Sequence, residues 1–403
     1  MRNTLLSGKK ILVGVTGSIA IYKALEVIRL LVKAGGDVKV VMSEDAKRFI
    51  TPLTFETISQ NKVLHVETES WSEELSHIHI GKWADLFMIV PASVNTINKL
   101  SCGIADNLLT QTAIAFTKPI LLAPSANTHM MLNPITQESL TRLQSFGYFL
   151  VSPESKLLAC NDEGIGALAS VEEIFYAAAR ILLKEPFWEN RNVIVTGGGT
   201  REKIDDVRCL GNFSSGKQAL ALATVAYLKG ANVTLITSGE APEFKAIDTL
   251  RVTDSQELRT SLEAQMRLGK NADKMPYLFM TAAISDYVPE HVYQGKLKKE
   301  TLGESYHLAL KRNVDILSAL DKKGWNVIGF KAETDEESAL QNAQTMLEKK
   351  GLNGVCLNIL KEHNRFGSNQ NEVYFIGLDA MVHLPLRSKF EIAEQIMGLA
   401  QSL

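Results

Sequence analysis

Short apolar runs alternate with stretches of helical spacing along the whole chain. In the first half, "KILVGV", "DVKVVM", "DLFMIV", "PILLA" and "YFLV" read as strands. Between the first two, "IAIYKALEVIRLLVKAG" places apolar residues every three or four positions and stops at Gly35-Gly36, which predicts a helix with a glycine end. "VEEIFYAAARILLK" closes this half as a helix, and "EPFWENR" (185–191) forms a short polar joint carrying Pro186. The alternation then restarts. "NVIVTG", "NVTLIT", "YLFMTAA", "WNVIGF" and "GVCLNIL" are strand candidates, "EVYFIG" and "MVHLPL" suggest a hairpin around Leu378-Asp379, and a last helix is expected from Ser388. "YQGKLKKETLGESYHLALKR" breaks the pattern and reads as a lysine-rich antiparallel flap, with "YHLAL" alternating. Strand–helix alternation implies right-handed crossovers and a mostly parallel sheet covered on both faces. The expected fold is therefore α/β, with two fused doubly wound domains at 1–184 and 192–403 and a linker at 185–191.

Composition narrows the function classes. The chain has 403 residues, ample for two cores, with 45% hydrophobic and 22% charged residues. A formal net charge of −2 gives no electrostatic case for nucleic acid or an anionic membrane. No apolar run approaches the ~20 residues that span a bilayer. The N-terminal stretch lacks the features of a secretion signal, and the four cysteines, Cys102, Cys160, Cys209 and Cys356, form no C-x-x-C pair. A cytoplasmic protein with reduced thiols is expected, one of them open to a reactive role.

Ligands of open parallel sheets bind beyond the carboxyl ends of the strands, where helix N-termini offer N–H groups. Gly17-Ser18 follows the first strand at such a point. His77 and His79 are two apart and share a face if extended. "VPASVNTINKL" and "LLAPSANTHMML" each place hydroxyl and amide side chains at a strand end before a helix, which suits a polar planar ligand and a substrate carboxylate. "LACNDEGIGALAS" holds Cys160 in a glycine-containing loop. In the second half Gly197-Gly198-Gly199-Thr200 ends a strand without G-x-G-x-x-G spacing, which argues against a dinucleotide fold. Ser214-Ser215-Gly216 precedes a helix as an N-cap and anion site. Asp286 follows a buried strand, with "KLKK" ten residues on, and such groups suggest phosphates and a divalent ion.

"TGSIAIYK", "HIHIGKWAD", "PASVNT…GIADNLLT", "APSANTHMMLNP" and "LAC" together resemble the flavin-dependent cysteine decarboxylases, in the family's order, over nearly all of residues 1–180. "TGGGTREKIDDVR", "GNFSSGK", "AAISDY", "KLKK", "NVDIL", "GFKAET" and "FGSN…SKFEIA" resemble the ligase half of the bifunctional phosphopantothenoylcysteine decarboxylase/phosphopantothenate–cysteine ligases of coenzyme A biosynthesis. The resemblance implies a flavodoxin-like flavin domain followed by a Rossmann-like ligase domain with a lysine-bearing flap. It implies FMN at Gly17, Ser18, Ile19, Ser43, Ser93, Asn95 and Thr96. His77 would act as a base while the flavin oxidises the substrate thiol to a thioaldehyde, whose C=S bond accepts the electrons released by decarboxylation. Asn127 would hold the departing carboxylate and Cys160 would donate a proton. For ligation it implies CTP, cysteine and phosphopantothenate, reacting through an acyl-cytidylate. Asn212 would contact that intermediate and Lys296 would neutralise phosphate charge. Met280, Thr281, Ala282, Asp286, Val314, Asp315, Ile316, Leu317, Phe330 and Lys350 would form the nucleotide pocket, with Asp286 a candidate Mg²⁺ ligand. A homo-oligomer is implied, a dodecamer by resemblance. The chain departs from the family pattern at Ala126, at Ala167-Leu168, at Val314 and near Met346. A ligase with an inactive flavin-binding first half, and a non-catalytic regulatory relative, are the competing readings.

Overall fold

The computed structural model describes residues 4–72, 75–157, 163–269, 273–298, 300, 303–361 and 364–403. The chain divides into two compact units, Met1–Leu183 and Lys184–Leu403.

The first unit is built on a six-stranded parallel sheet in the order Val63–Leu64, Asp37–Met42, Lys10–Val15, Leu86–Ala92, Ile120–Pro124, Phe149–Leu150. The five strands expected from the sequence fall in the flavodoxin order 2-1-3-4-5. The two-residue strand Val63–Leu64, too short for periodicity to reveal, extends them at the edge to 3-2-1-4-5-6. Leu86–Ala92 is buried at every position, as a central parallel strand must be. The helix Ile21–Lys33 buries Ile21, Ala24, Val27, Ile28 and Leu31 along one stripe. It ends as foreseen: Gly35 takes φ +89°, its N–H reaches the Val32 carbonyl at 2.9 Å, and the Gly36 N–H reaches that of Leu31 at 3.0 Å. This is the Schellman arrangement, which satisfies carbonyls the helix leaves open.

The second unit carries an eight-stranded sheet ordered Asp248–Arg251, Asn232–Thr237, Asn192–Gly197, Tyr277–Met280, Asn326–Glu333, Gly354–Ile359, Gln370–Gly377, Met381–Ser388. The first six are parallel, and the last two form the expected antiparallel hairpin. Ser388 caps the final helix, Lys389–Leu399, in a reciprocal box with Glu391. Residues 185–191 pack as the opening turn of this unit, with Trp188 fully buried against Phe187 and Tyr277.

Three local expectations are corrected. "YLFMTAA" is strand only to Met280. In the flap, Leu310–Arg312 pairs antiparallel with Tyr287–Pro289, but of "YHLAL" only Leu310 joins the strand, and that leucine is exposed. Alternation without a buried face does not make a strand. The histidines 77 and 79 lie on a helix, His77–Trp83, so spacing of two turns them to different sides. Among the described residues no helix is long and apolar enough to cross a membrane.

Candidate active sites at the two switch points

In the first unit the sheet order reverses between Lys10–Val15 and Leu86–Ala92, and side chains tie these two strand ends together. The Thr16 hydroxyl donates to the Pro91 carbonyl at 2.6 Å and accepts from the Ser93 N–H at 2.9 Å. The Ser125 N–H donates to the Ala92 carbonyl at 3.1 Å, drawing in the next strand end. Ser18 lies across this edge, 3.4 Å from the Ser125 hydroxyl, and accepts from the Ala20 N–H at 3.2 Å. No side chain caps the helix Ile21–Lys33, which starts beside Gly17 and Ser18, and its Ile21 and Lys23 N–H groups donate to the Ser18 and Ala20 carbonyls at 3.1 and 3.0 Å. Ser43 and Ser93 instead cap their own helices, accepting from Ala46 and Thr96. Thr96 is buried, whereas Ile19 and Asn95 are exposed.

The helix carrying His77 finishes at the amino edge of the sheet: Asp85, just past its end, accepts from the Lys10 N–H at 3.0 Å at the start of the first strand. His77 Nδ1 meets the Glu69 carboxylate at 2.8 Å, and Trp71 stands edge-on to its ring at 5.5 Å. A carboxylate accepts only, so Nδ1 carries the proton and Nε2 is the basic nitrogen. Glu69 was missed in the sequence, because it is one of several acidic residues in a polar loop and spacing does not single it out.

Asn127 caps the short helix Thr128–Leu132, its side-chain oxygen accepting from His129 at 2.9 Å. The antiparallel pair Glu154–Leu157 and Glu163–Ala167 docks beside it: the Ala126 N–H donates to the Gly166 carbonyl at 2.9 Å. Gly166 has φ +142°, and a Cβ there would lie 2.3 Å from the Ala126 carbonyl oxygen, so only glycine allows this docking. Cys160 lies outside the described residues. At the departures, Ala126 packs on the apolar core and the Leu168 carbonyl accepts from the Lys23 ammonium at 3.2 Å.

The second unit gathers its candidates in one cavity of about 960 Å³, lined by Asn212, Met280, Thr281, Ala282, Asp286, the 314–317 turn, Phe330 and Lys350 among others. Its wall is fixed by hydrogen bonds: Thr196 accepts from the Ala282 N–H at 3.2 Å, and Asn313 donates to the Ser285 carbonyl at 2.8 Å and to the Ser255 hydroxyl at 3.1 Å. Lys350 pairs with Asp315 at 2.8 Å. Burial raises the Asp315 pKa, but Lys350 and Ser318 outweigh it and hold the carboxyl below its usual value. Val314 is half-exposed, and its N–H donates to the Asn313 side-chain oxygen at 2.9 Å. Met346 lines the cavity with a thioether.

Two expectations change here. The helix Lys217–Leu228 has Gly216, at φ +81°, as its N-cap residue and so no capping side chain there, while Ser215, one position earlier, accepts from the Lys217 N–H at 3.4 Å. Lys296 does not line the cavity: it is exposed, on the flap whose base residues Asp286, Tyr287 and Arg312 do. Lys217 and Lys389, which the sequence reading passed over, line the cavity at the helix start. Burial, then the charge of Lys217, lowers the Lys389 pKa. Among the described residues no cluster of three His, Cys, Asp or Glu could hold a metal alone, so Asp286 could share one only with a ligand's oxygens. The Cys356 thiol is fully buried, which raises its pKa and makes it inert.

Residues 2–182 match the family described as Flavoprotein, and residues 188–403 match the DNA/pantothenate metabolism flavoprotein C-terminal domain. The chain is similar to the "Coenzyme A biosynthesis bifunctional protein CoaBC" of Borreliella burgdorferi, 35% identical over 97% of this chain and 98% of that protein. The protein of that name from Haemophilus influenzae is 37% identical over 98% and 97%, and the one from Bacillus subtilis 36% over 98% of each. A solved C-terminal domain of a CoaBC protein is 29% identical over 54% of this chain and 97% of its own, with a TM-score of 0.43. With both halves matched end to end, the chain belongs to the CoaBC family of bifunctional coenzyme A biosynthesis enzymes, a flavoprotein decarboxylase half followed by a ligase half.

Proposed function

We propose that the second half joins cysteine to phosphopantothenate at the expense of CTP, and that the first half decarboxylates the phosphopantothenoylcysteine so formed to phosphopantetheine with FMN. The observation that carries the ligase reading is the single cavity in which Asn212, Asp286, Phe330 and the Asp315–Lys350 pair converge. A carboxylate is a poor electrophile until one oxygen becomes part of a leaving group, and forming the acyl-cytidylate supplies that group. The N-terminus of Lys217–Leu228, with Lys217 and Lys389, faces phosphates. Mg²⁺ shared between Asp286 and phosphate oxygens would hold the nucleotide. Asn212 contacts the acyl intermediate, and Lys296, carried by the flap, offsets phosphate charge as it develops.

In the first half, the donor set suits a flavin phosphate: the uncapped start of Ile21–Lys33, the Ser18 hydroxyl and the turn at Ser43 are neutral hydrogen-bond donors. Ser93, Asn95 and Thr96 border the place for the ring. FMN, when bound, would supply a reversible two-electron acceptor for the substrate's cysteinyl group. His77, aligned by Glu69, removes a proton through Nε2. The Asn127 amide orients the carboxylate, and Cys160 returns a proton to carbon. The enzyme works in the cytoplasm as a homo-oligomer, a dodecamer as its family resemblance implies.

The test is mass spectrometry of products from the purified full-length chain given CTP, phosphopantothenate and cysteine. Phosphopantetheine is expected, with pyrophosphate release that stops when any one of the three is withheld. Product formation without a nucleotide would refute the ligase reading. Accumulation of phosphopantothenoylcysteine by flavin-loaded protein would favour the reading with an inactive first half.

A further inference from the structure

The motif "TREKIDDVR" places no side chain in the cavity, yet it contains a fully buried carboxylate. Asp205 lies in the loop between the paired strands Arg201–Lys203 and Cys209–Gly211, and its side chain is 0% exposed. Its two oxygens have different tasks. Oδ1 accepts from the N–H groups of Val207 at 2.8 Å and Arg208 at 2.7 Å, closing its own loop. Oδ2 accepts from the Leu297 N–H at 3.1 Å, far along the chain on the flap, and meets the Arg208 guanidinium at 3.0 Å. The neighbouring Asp206 accepts from the Gly295 N–H at 2.8 Å, and Arg208 donates to the Leu297 carbonyl. The residues on both sides of Lys296 are thus fastened to one loop, while the Lys296 ammonium is exposed and has no hydrogen bond or ion pair among the described residues. The same hairpin runs directly into Asn212.

We propose that Asp205 is a positioning residue for ligation: by clamping the flap at Leu297 it fixes Lys296 relative to the strand that delivers Asn212. This rests on the reading of Lys296 and Asn212 given above. A loop-closing aspartate needs only one oxygen, and the second is spent across 92 residues of chain on the neighbour of that lysine. Arg208 neutralises the carboxylate locally, so the clamp leaves the Lys296 charge available to a ligand. Asparagine at 205 would turn an N–H₂ group toward backbone N–H donors and release one anchor.

The experiment compares full-length Asp205→Asn, Lys296→Gln and the double variant in CTP-dependent ligation, alongside amide hydrogen exchange. Asp205→Asn is expected to lower kcat by about 10-fold or more, within the ~10²-fold that a 1 Å misplacement costs, with KM for CTP nearly unchanged. The Leu297 amide should exchange faster while the strand Asn192–Gly197 keeps its protection. The double variant should be no slower than Lys296→Gln alone, because the aspartate acts through the lysine. Normal turnover by Asp205→Asn beside an impaired Lys296→Gln overturns the clamp and leaves the ligase reading standing, as do losses that multiply in the double variant. Normal turnover by Lys296→Gln removes the lysine's role and the proposal with it. If Asp205→Asn folds poorly, Asp206→Ala, an exposed change releasing Gly295, must give a smaller fall in kcat of the same kind, and its absence counts equally against the clamp.

Discussion

In the first half only Thr16 to Ala20 separate the opening strand from its helix, whereas in the second Gly198 to Gly216 intervene. Both helices begin at the carboxyl edge of a parallel sheet, with no capping side chain on the N-cap residue. The longer insertion makes the difference. It carries the hairpin, the Asp205 loop and Asn212, so in the second half this insertion adds a wall to a cavity that successive strand ends also line. The first half relies on successive strand ends, where Ser93 and Asn127 also cap their own helices. One architecture thus serves two chemistries, according to what is threaded between the first strand and the first helix.

The largest effects should separate the halves. His77→Asn is expected to slow decarboxylation of supplied phosphopantothenoylcysteine by about 10²–10⁴-fold while CTP-dependent pyrophosphate release continues. Asn212→Ala should do the opposite, by about 10²–10³-fold. Paired assays on each variant check this, and loss of both activities from either change would break the comparison. Next comes the glycine turn of each half. Gly198 combines φ +80° with a virtual Cβ only 2.4 Å from the Gly239 nitrogen, so Gly198→Ala should cost at least about 2 kcal/mol in urea unfolding. Gly17 has an ordinary φ and meets Asp45 Cβ at 2.7 Å, and Gly17→Ala should cost less.

Much of this plan was legible in the chain. Continuous apolar runs such as "DLFMIV" are what a strand covered on both faces requires, and Gly35 marked its helix end through conformational freedom alone. Part of the lining of the second unit's cavity was legible where a motif lies on a strand end, as at Met280 to Ala282. What stayed hidden depends on loops meeting across the fold. Glu69 is defined by contact with His77, the Asp205 clamp by contact with Leu297, and Lys389 by its approach to Lys217; local spacing records none of these. The histidine pair misled because its spacing was interpreted on an extended backbone, and Ser76 in fact starts a helix there.

Smaller effects sharpen the second half alone. The Asp315 carboxyl is held below its unfolded value of about 3.9, so its contribution is complete above that pH and disappears as pH falls through the lower folded value. The gap in urea midpoint between the unaltered protein and Asp315→Asn should therefore close in acid and be constant from pH 5 upward. Val314→Pro should change stability by under about 1 kcal/mol, since the only visible loss is the 2.9 Å bond from its N–H to Asn313.

The buried indole of Trp188 has a practical corollary for anyone separating the two enzymes. Its ring fills a socket formed with Phe187 and Tyr277, over which the Arg191 guanidinium lies 4.1 Å from the Phe187 ring centre. A protease cut or gene boundary placed at Arg191 would strip that plug from the ligase and expose its aromatic socket to water. Scission ahead of Lys184 would leave the plug in place and yield the sturdier fragment.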